Sequence, residues 1–239
     1  MIINSSCIIL NNVSYGESDL IVKILTQKKG LLSFLIKGGQ KKKKKYLQPL
    51  MNVNVSFNYK SKTDLFFIKS IEFKNIINNI LVNYQKRNMA LFLCKIISNS
   101  ISINQEDSKT YDFIDNSISW LNSKHCSGKY FELWFLINLT KFLGFAPDYL
   151  NKKLTTDYSF NPQNGEFCLN QFNNNAELWN TKFSEYLYKF LITNVEDLDK
   201  FSLSYNDYKA FIEKVLNYYE LHISEFNYKK LIAIYTELL

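Results

Sequence analysis

The chain is poor in the residue types that form covalent cross-links and metal sites. Its 239 residues include two histidines and four cysteines. The cysteines are far apart, with no C-x-x-C pair, at Cys7, Cys94, Cys126 and Cys168. A structural zinc site needs four ligands at short spacings, and a disulfide scaffold needs many cysteines in a short chain. We therefore expect neither, and we expect the thiols to be reduced, as is usual in the cytoplasm.

Long apolar segments and leader features are also missing. The longest apolar stretch, 131–139, is interrupted by Glu132 and Asn138, and it falls well short of the roughly 20 residues that a transmembrane helix needs. The first residues, Met-Ile-Ile-Asn, contain no basic region of the kind that opens a signal peptide. The sequence thus predicts a cytoplasmic protein with no membrane partner.

Motifs of hydrolytic enzymes are absent as well. The sequence contains no G-x-x-x-x-G-K-[ST] loop, and the four acidic residues of the first 80 show no D-x-D or D-x-x-E spacing. The segment Tyr15-Gly16-Glu17-Ser18-Asp19 is better interpreted as a turn whose acidic side chains accept hydrogen bonds from backbone amides. We expect a protein that is not an enzyme, with no cofactor and no metal.

Positive charge is concentrated in the first third of the chain. Residues 1–80 contain thirteen lysines and four acidic residues, a net charge of +9, whereas residues 81–239 carry −2. A general compositional preference for lysine would spread the charge evenly. This asymmetry therefore predicts an N-terminal domain that binds a polyanion.

The first 78 residues have the pattern of five short strands. Apolar residues dominate 7–15, 20–26, 31–37 and 65–73, and in 53–59 they alternate strictly with polar ones. Glycines or polar turn residues separate most of these segments. A long connection that contains the five-lysine run Lys41–Lys45, the basic loop, precedes the segment 53–59. Five short strands with such a connection favour a small closed barrel of the oligonucleotide-binding (OB) type.

The rest of the chain, 79–239, has helical periodicity. Apolar faces recur near 89–97, 111–121, 130–143, 176–193, 204–219 and 228–238, and residues 148–175 interrupt them as an irregular, Asn-rich segment. The fold class predicted is α+β, with an N-terminal OB barrel (1–78) followed by an all-helical C-terminal domain (79–239).

Several short segments, taken in order, resemble one known family. They are Tyr15-Gly16-Glu17-Ser18-Asp19, Lys37-Gly38-Gly39-Gln40-Lys41, Leu47-Gln48-Pro49, Leu143-Gly144-Phe145-Ala146-Pro147-Asp148 and Tyr218-Tyr219-Glu220-Leu221-His222. Their order and spacing are similar to those of RecO, the bacterial DNA repair and recombination mediator. The matching segments extend from residue 15 to residue 222.

The resemblance implies a role in handling DNA. The basic barrel by itself predicts binding to single-stranded DNA, and more weakly to duplex DNA, through the phosphates. RecO proteins anneal complementary strands and help to load the RecA recombinase onto DNA coated with single-strand-binding protein. They act with RecR, and they bind the C-terminal tail of single-strand-binding protein on the helical domain. Candidate tail-binding residues, chosen by charge alone, are Lys86, Arg87, Lys141, Lys152 and Lys153.

The sequence departs from the family at its zinc motif. Many members carry four cysteines after the proline-aspartate pair, whereas residues 149–170 contain Cys168 alone. One thiol cannot supply four ligands, so the motif is degenerate. We expect packing around Phe160, Phe167 and Leu169 to replace the metal.

The candidate DNA-binding residues are the lysines that lie in or near the predicted turns and the basic loop. They are Lys23, Lys28, Lys29, Lys37, Lys41, Lys42, Lys43, Lys44, Lys45, Lys60 and Lys62. Nearby aromatic residues that could stack on bases, if exposed, are Tyr46, Phe57, Tyr59, Phe66 and Phe67. Two alternatives stay open, an RNA-binding factor on an OB barrel and a protein–protein adaptor whose lysines serve only solubility.

Overall fold

The computed structural model describes residues 1–42, 47–61, 63–75, 77–102, 106–149, 158–169, 178–229 and 231–233. The chain forms two compact units, Met1–His125 and Cys126–Glu237. The sequence-based boundary at residues 78 and 79 marks the change from strands to helices. That residues 1–78 and 79–239 are two separate domains stays a prediction.

Five strands of the first unit close into a barrel. They are β1 (Ile2–Tyr15), β2 (Asp19–Thr26), β3 (Gly30–Ile36), β4 (Asn52–Asn58) and β5 (Leu65–Asn75). Their order around the barrel is β1-β2-β3-β5-β4, with β4 returning to β1. The β3–β5 pair is parallel and the other pairs are antiparallel. This is the OB topology, and the predicted fold class is confirmed.

The barrel interior is filled by the residues that alternate along each strand. Val22 on β2 and Phe34 on β3 are fully buried, as are Val53 and Phe57 on β4. The rings of Phe34 and Phe57 meet edge to face, with 5.0 Å between their centroids. The strict alternation of 53–59 therefore sets which face of β4 is core, as predicted. Strand β1 begins five residues earlier than predicted, at Ile2, and runs to Tyr15 with a bulge between Ile9 and Asn11.

The described part of the first unit also contains four helices. They are the short α1 (Gly39–Lys42) after β3, α2 (Asn78–Val82), α3 (Tyr84–Ser100) and α4 (Ser108–Leu121). Helix α3 packs on β1, where the Cys94 thiol lies 3.9 Å from the Ile9 carbonyl oxygen. The Asn52 side-chain amide of β4 donates to Asp115 of α4 at 2.5 Å. These helices therefore cover part of the outer surface of the barrel.

Lys86 of α3 has a structural role, so its assignment as a tail-binding candidate is wrong. Its side chain is buried, and its ammonium group donates to the carbonyl oxygens of Leu121 at 2.8 Å and Ser123 at 3.2 Å. These carbonyls end α4, where a cation satisfies acceptors that the helix itself leaves open. A peptide ligand cannot reach this group.

The second unit is built around α5 (Phe131–Leu143), which is buried along most of its length and ends, as predicted, at Gly144 in the left-handed conformation. Helix α6 (Thr181–Ile192), a 3₁₀ helix (Val195–Lys200) and α7 (Tyr205–His222) pack against α5. Ser204 is the N-cap of α7, because its hydroxyl accepts a hydrogen bond from the Asp207 backbone amide at 3.1 Å. Residues 228–229 and 231–233 are also helical.

The segment predicted to be irregular, 148–175, contains a hairpin. Strands β6 (Tyr158–Asn161) and β7 (Glu166–Leu169) pair antiparallel within it, and residues 150–157 and 170–175 lie outside the described residues. The prediction missed the hairpin because four-residue strands with a polar turn give too short a pattern for periodicity to detect.

An aromatic cluster surrounds the β6–β7 hairpin, in the segment where the sequence predicts that side-chain packing replaces a metal. Phe160 is fully buried, and its ring centroid lies 5.1 Å from that of Phe167, 5.0 Å from Trp179 and 5.3 Å from Tyr218. Phe160 and Phe167 therefore pack as expected. Leu169 does not, since it is 39% exposed.

His222, at the end of α7, also packs within this unit. Its ring stacks on Phe145 at 5.2 Å, and its Nε2 atom lies 2.9 Å from the Pro162 carbonyl oxygen. The interaction links α7 to the turn between β6 and β7. His222 therefore has a structural role.

In the described ranges, no helix is long and apolar enough to cross a bilayer. No three histidine, cysteine, aspartate or glutamate side chains in those same ranges are grouped as metal ligands.

Candidate nucleic-acid interface

The basic loop begins at a fixed point on the barrel. Short helix α1 (Gly39–Lys42) contains the first two lysines of the run. The Asp19 carboxylate accepts a hydrogen bond from the Gly38 backbone amide at 2.8 Å, and the Gln40 side-chain amide donates to the carbonyl oxygens of Gly16 at 3.2 Å and Asp19 at 3.0 Å. The β1–β2 turn therefore holds the start of the loop, and the structural interpretation of its acidic residues is confirmed for Asp19.

Gln40→Ala is expected to weaken single-stranded DNA binding by about fivefold, because losing roughly 1 kcal/mol of anchoring leaves the loop to be ordered by the ligand. The same phosphates are contacted, so the slope of log affinity against log salt should not change. Fluorescence anisotropy at several salt concentrations measures both quantities. Gln85→Ala, an exposed glutamine on α3, is the matched control, and a changed slope in Gln40→Ala would contradict the anchoring role.

Lys37 directly follows β3, beside this anchor. Its side chain is exposed, and its ammonium nitrogen lies 5.7 Å from the ring centroid of Phe67 on β5. Lys41 and Lys42 follow in α1. We call Lys37, Lys41 and Lys42 the helix-end group, because they lie where β3 leads into α1.

A second group of predicted lysines lies at the other end of the β2–β3 hairpin. Lys28 and Lys60 are exposed in the turns after β2 and β4. Lys29 is 5.4 Å from the ring centroid of Tyr59 and forms a 3.4 Å ion pair with Glu106. We call Lys28, Lys29 and Lys60 the turn-end group. The eight residues of β2 separate the two groups by roughly 25 Å.

Lys23 points outward from β2 between the two groups, but it is half-buried against α3. Its ammonium group donates to the Ser98 carbonyl oxygen at 3.2 Å. Burial lowers the pKa of Lys23, and the nearby charge of Lys95 lowers it further. The ammonium group is thus committed to the end of α3 in this structure, and DNA contact by Lys23 stays a prediction.

The remaining predicted lysines, Lys43, Lys44, Lys45 and Lys62, lie outside the described residues, as does Tyr46. Among the candidate stacking aromatics, Phe57 and Phe66 are buried core residues, so their assignment as base contacts is wrong. Tyr59 stacks on Phe66 with ring centroids 5.6 Å apart and is only partly accessible. Phe67 is the candidate with an exposed ring.

Two exposed lysines on β5 were counted in the charge of the barrel but not assigned to the site. Lys69 and Lys74 both face solvent, and the Lys74 ammonium group donates to the Ser6 hydroxyl at 2.8 Å. The signal that could have identified them is the presence of charge within an apolar strand, because lysine side chains are seldom buried unless they are paired. They extend the positive surface from the hairpin to the β1–β4–β5 side.

This arrangement suits binding to phosphates. Lysine ammonium groups act as strong point charges without geometric selectivity, so a surface of this type neutralises a phosphate backbone independently of sequence. The outer face of strands 2 and 3 and the adjoining turns are where OB barrels generally take oligonucleotides. Here α3 covers one part of that face, where Lys23 of β2 donates to the Ser98 carbonyl oxygen.

Comparison with known proteins places both parts of the chain in one family. Residues 1–77 match the family model for the recombination protein O N terminal domain, and residues 83–232 match that for the C terminal domain. A DNA repair protein RecO of Christiangramia forsetii is 28% identical over 243 residues, covering 100% of this chain and 99% of the relative. One of Azobacteroides pseudotrichonymphae is 30% identical over 247 residues, covering 98% of each. One of Flavobacterium psychrophilum is 26% identical over 243 residues, covering 99% of each. The chain belongs to the RecO family of DNA repair proteins.

Proposed function

We propose that this protein is a recombination mediator of the cytoplasm that binds single-stranded DNA, and duplex DNA more weakly, through the lysines of its barrel. The observation that carries this proposal is the net charge of +9 on residues 1–80, with exposed lysines at both ends of the β2–β3 hairpin, Lys37 at one and Lys28 and Lys60 at the other. A polycationic surface attracts nucleic acid at low salt and releases it as salt rises. The names of the relatives, DNA repair proteins, support the same role.

Strand annealing follows from the same surface. Two complementary strands repel each other over roughly 10 Å at 0.1 M salt. Lysines on the barrel that neutralise phosphates lower this repulsion and let base pairing begin. No nucleotide hydrolysis is needed for such a step, so we propose that the protein is not an enzyme.

The experiment that tests the proposal is titration of fluorescent single-stranded DNA, duplex DNA and single-stranded RNA of equal length across a salt series. We expect the tightest binding for single-stranded DNA, with a steep salt dependence, and faster annealing of complementary strands when the protein is present. Preference for RNA would favour an RNA-binding factor. Undetectable binding at low salt would favour a protein–protein adaptor.

We further propose that the second unit binds the acidic, apolar C-terminal tail of single-strand-binding protein, and that RecR and the RecA recombinase act with the complex. Two neighbouring hollows of about 350 and 480 Å³ flank Ile192, which ends α6 and is 54% exposed. Lys141 and Glu196 line one hollow, and Lys189, Lys200 and Asp197 line the other, where Lys200 pairs with Asp197 at 2.6 Å. An apolar side chain between lysines suits a peptide that combines carboxylates with an aromatic end.

Of the earlier candidates, Arg87 belongs to the first unit, and Lys152 and Lys153 lie outside the described residues.

Ile192→Ala is expected to weaken binding of such a tail peptide by about fivefold or more, because the exposed apolar contact is lost. Binding to the wild-type chain should persist when single-stranded DNA saturates the barrel. Fluorescence anisotropy of a labelled peptide measures both effects, with Leu221→Ala, an exposed residue of α7, as the control. Displacement of the peptide by DNA would show that the tail binds the barrel.

A further inference from the structure

Four apolar side chains form a continuous row across the outer face of the barrel. Val13 of β1 pairs with Ile21 of β2, Ile21 pairs with Leu35 of β3, and Leu35 pairs with Phe67 of β5. Directly paired residues on adjacent strands point to the same side of a sheet. Because Leu20 and Val22, which flank Ile21, fill the barrel interior, the row faces outward.

The row is open to solvent. Val13 and Phe67 are each 56% exposed, and Ile21 and Leu35 between them are half-buried. Farther along the same face, the outward-pointing Leu25 and Leu31 are buried, on the side of the barrel where α3 packs. Outward positions of an antiparallel sheet that face water are usually polar. Four apolar residues in register at such positions therefore indicate a binding surface.

Positive charge borders the row at the end where β3 leads into the basic loop. The Lys37 ammonium nitrogen lies 5.7 Å from the Phe67 ring centroid. Tyr15 and Asp19, the pair next to the row, belong to the turn that anchors α1 and its lysines. A ligand that fits this surface must offer flat apolar groups beside negative charges. Unpaired nucleotides have this combination, whereas in a duplex the base faces are stacked on one another and are not available to a protein side chain.

We propose that the row Val13–Ile21–Leu35–Phe67 is a base-stacking subsite that gives the protein its preference for single strands. One unpaired base stacks on the ring of Phe67, and an adjacent base lies on Ile21 and Leu35. The Lys37 ammonium group leaves its position over the Phe67 ring and binds a phosphate of the same strand. The flexible four-carbon stem of lysine permits this exchange. The subsite rests on the proposed function, because it presupposes that the barrel binds nucleic acid.

The test compares the full-length wild type with Phe67→Ala on three fluorescent probes of equal length. The probes are a mixed-sequence single strand, an abasic single strand with the same phosphates, and a duplex. We expect Phe67→Ala to weaken binding to the base-bearing strand by about 5- to 30-fold, in the range that stacking on one aromatic ring provides. Its affinity for the abasic strand and duplex, and its salt slope, should match the wild type. Phe73→Ala, an exposed phenylalanine farther along β5, is the matched control and should bind all three probes normally.

Phe67→Trp supplies an independent readout at the same exposed position. Its additional fluorescence, relative to wild type, should be quenched by the base-bearing strand and not by the abasic strand. If the wild type binds none of the probes, the proposed function of the barrel fails. If the wild type binds, but Phe67→Ala binds the base-bearing strand equally well and Phe67→Trp is not quenched, the subsite is overturned and the binding of the barrel to phosphates stands.

Discussion

Replacing Lys41–Lys45 with alanine is expected to reduce the salt dependence of single-stranded DNA binding more than any other change on the barrel. If three to five of these lysines meet phosphates, the slope of log affinity against log salt should fall by about 2–3.5, at roughly 0.7 per contact. The corresponding loss of affinity at 0.1 M salt is on the order of 100-fold or more. The barrel should keep its stability, because Asp19 and Gln40 hold the loop from outside the apolar core.

Anisotropy titrations at four or more salt concentrations give the slope, and thermal unfolding checks the barrel. The matched control removes five exposed lysines that lie outside the barrel strands, namely Lys109, Lys124, Lys189, Lys200 and Lys229. It lowers the net charge by the same amount, so a general charge effect would change both variants alike. An unchanged slope in the variant of the basic loop would show that this run does not contact the phosphates.

Phe160→Ala is expected to lower the free energy of unfolding of the second unit by about 3–5 kcal/mol, the usual cost of removing a fully buried aromatic side chain. Its ring contacts Phe167, Trp179 and Tyr218, which come from three separate elements or segments. The cavity left by the ring therefore opens at the point where the hairpin joins the helices. Chemical denaturation with a probe in the second unit measures the loss.

Leu169→Ala, in the same hairpin but 39% exposed, is the control and should cost less than 1 kcal/mol, as do most surface changes. The same samples also test the absence of a metal. We expect no stoichiometric zinc by elemental analysis, no loss of stability in chelator, and no rescue of Phe160→Ala by added zinc. One zinc per chain, or unfolding in chelator, would contradict the view that aromatic packing stabilises this region.

The limits of sequence-based prediction follow from the length of each pattern. Residues 53–59 alternate over seven positions, and 130–143 are apolar on nearly all sides, so a strand and a buried helix could each be predicted. The β6–β7 hairpin could not be predicted, because each of its strands spans four residues. The bulge at Ile9–Asn11 could not be predicted either, since it shifts the alternation within a single strand.

The sequence predicted where the positive charge of the candidate site is concentrated, but not which tertiary contacts the individual lysines make. The lysines of residues 1–80 identified the barrel as the basic part of the chain. Nothing in the sequence indicated that Lys23 donates to the Ser98 carbonyl oxygen or that Lys29 pairs with Glu106. Both partners lie more than 70 residues away along the chain. They reach the lysines only when α3 and the following segment pack on the barrel.

The sequence by itself determined the order of strands and helices and the concentration of positive charge in the first third. Those properties depend on neighbouring residues, through side-chain alternation, helical periodicity and composition. The tertiary structure decided which lysines stay exposed and which outward faces α3 covers. It also decided that Val13, Ile21, Leu35 and Phe67, from four different strands, align in one row. The physical reason is that barrel closure fixes the register between strands that are distant in sequence, and a shift of one residue would turn each of these side chains to the opposite face.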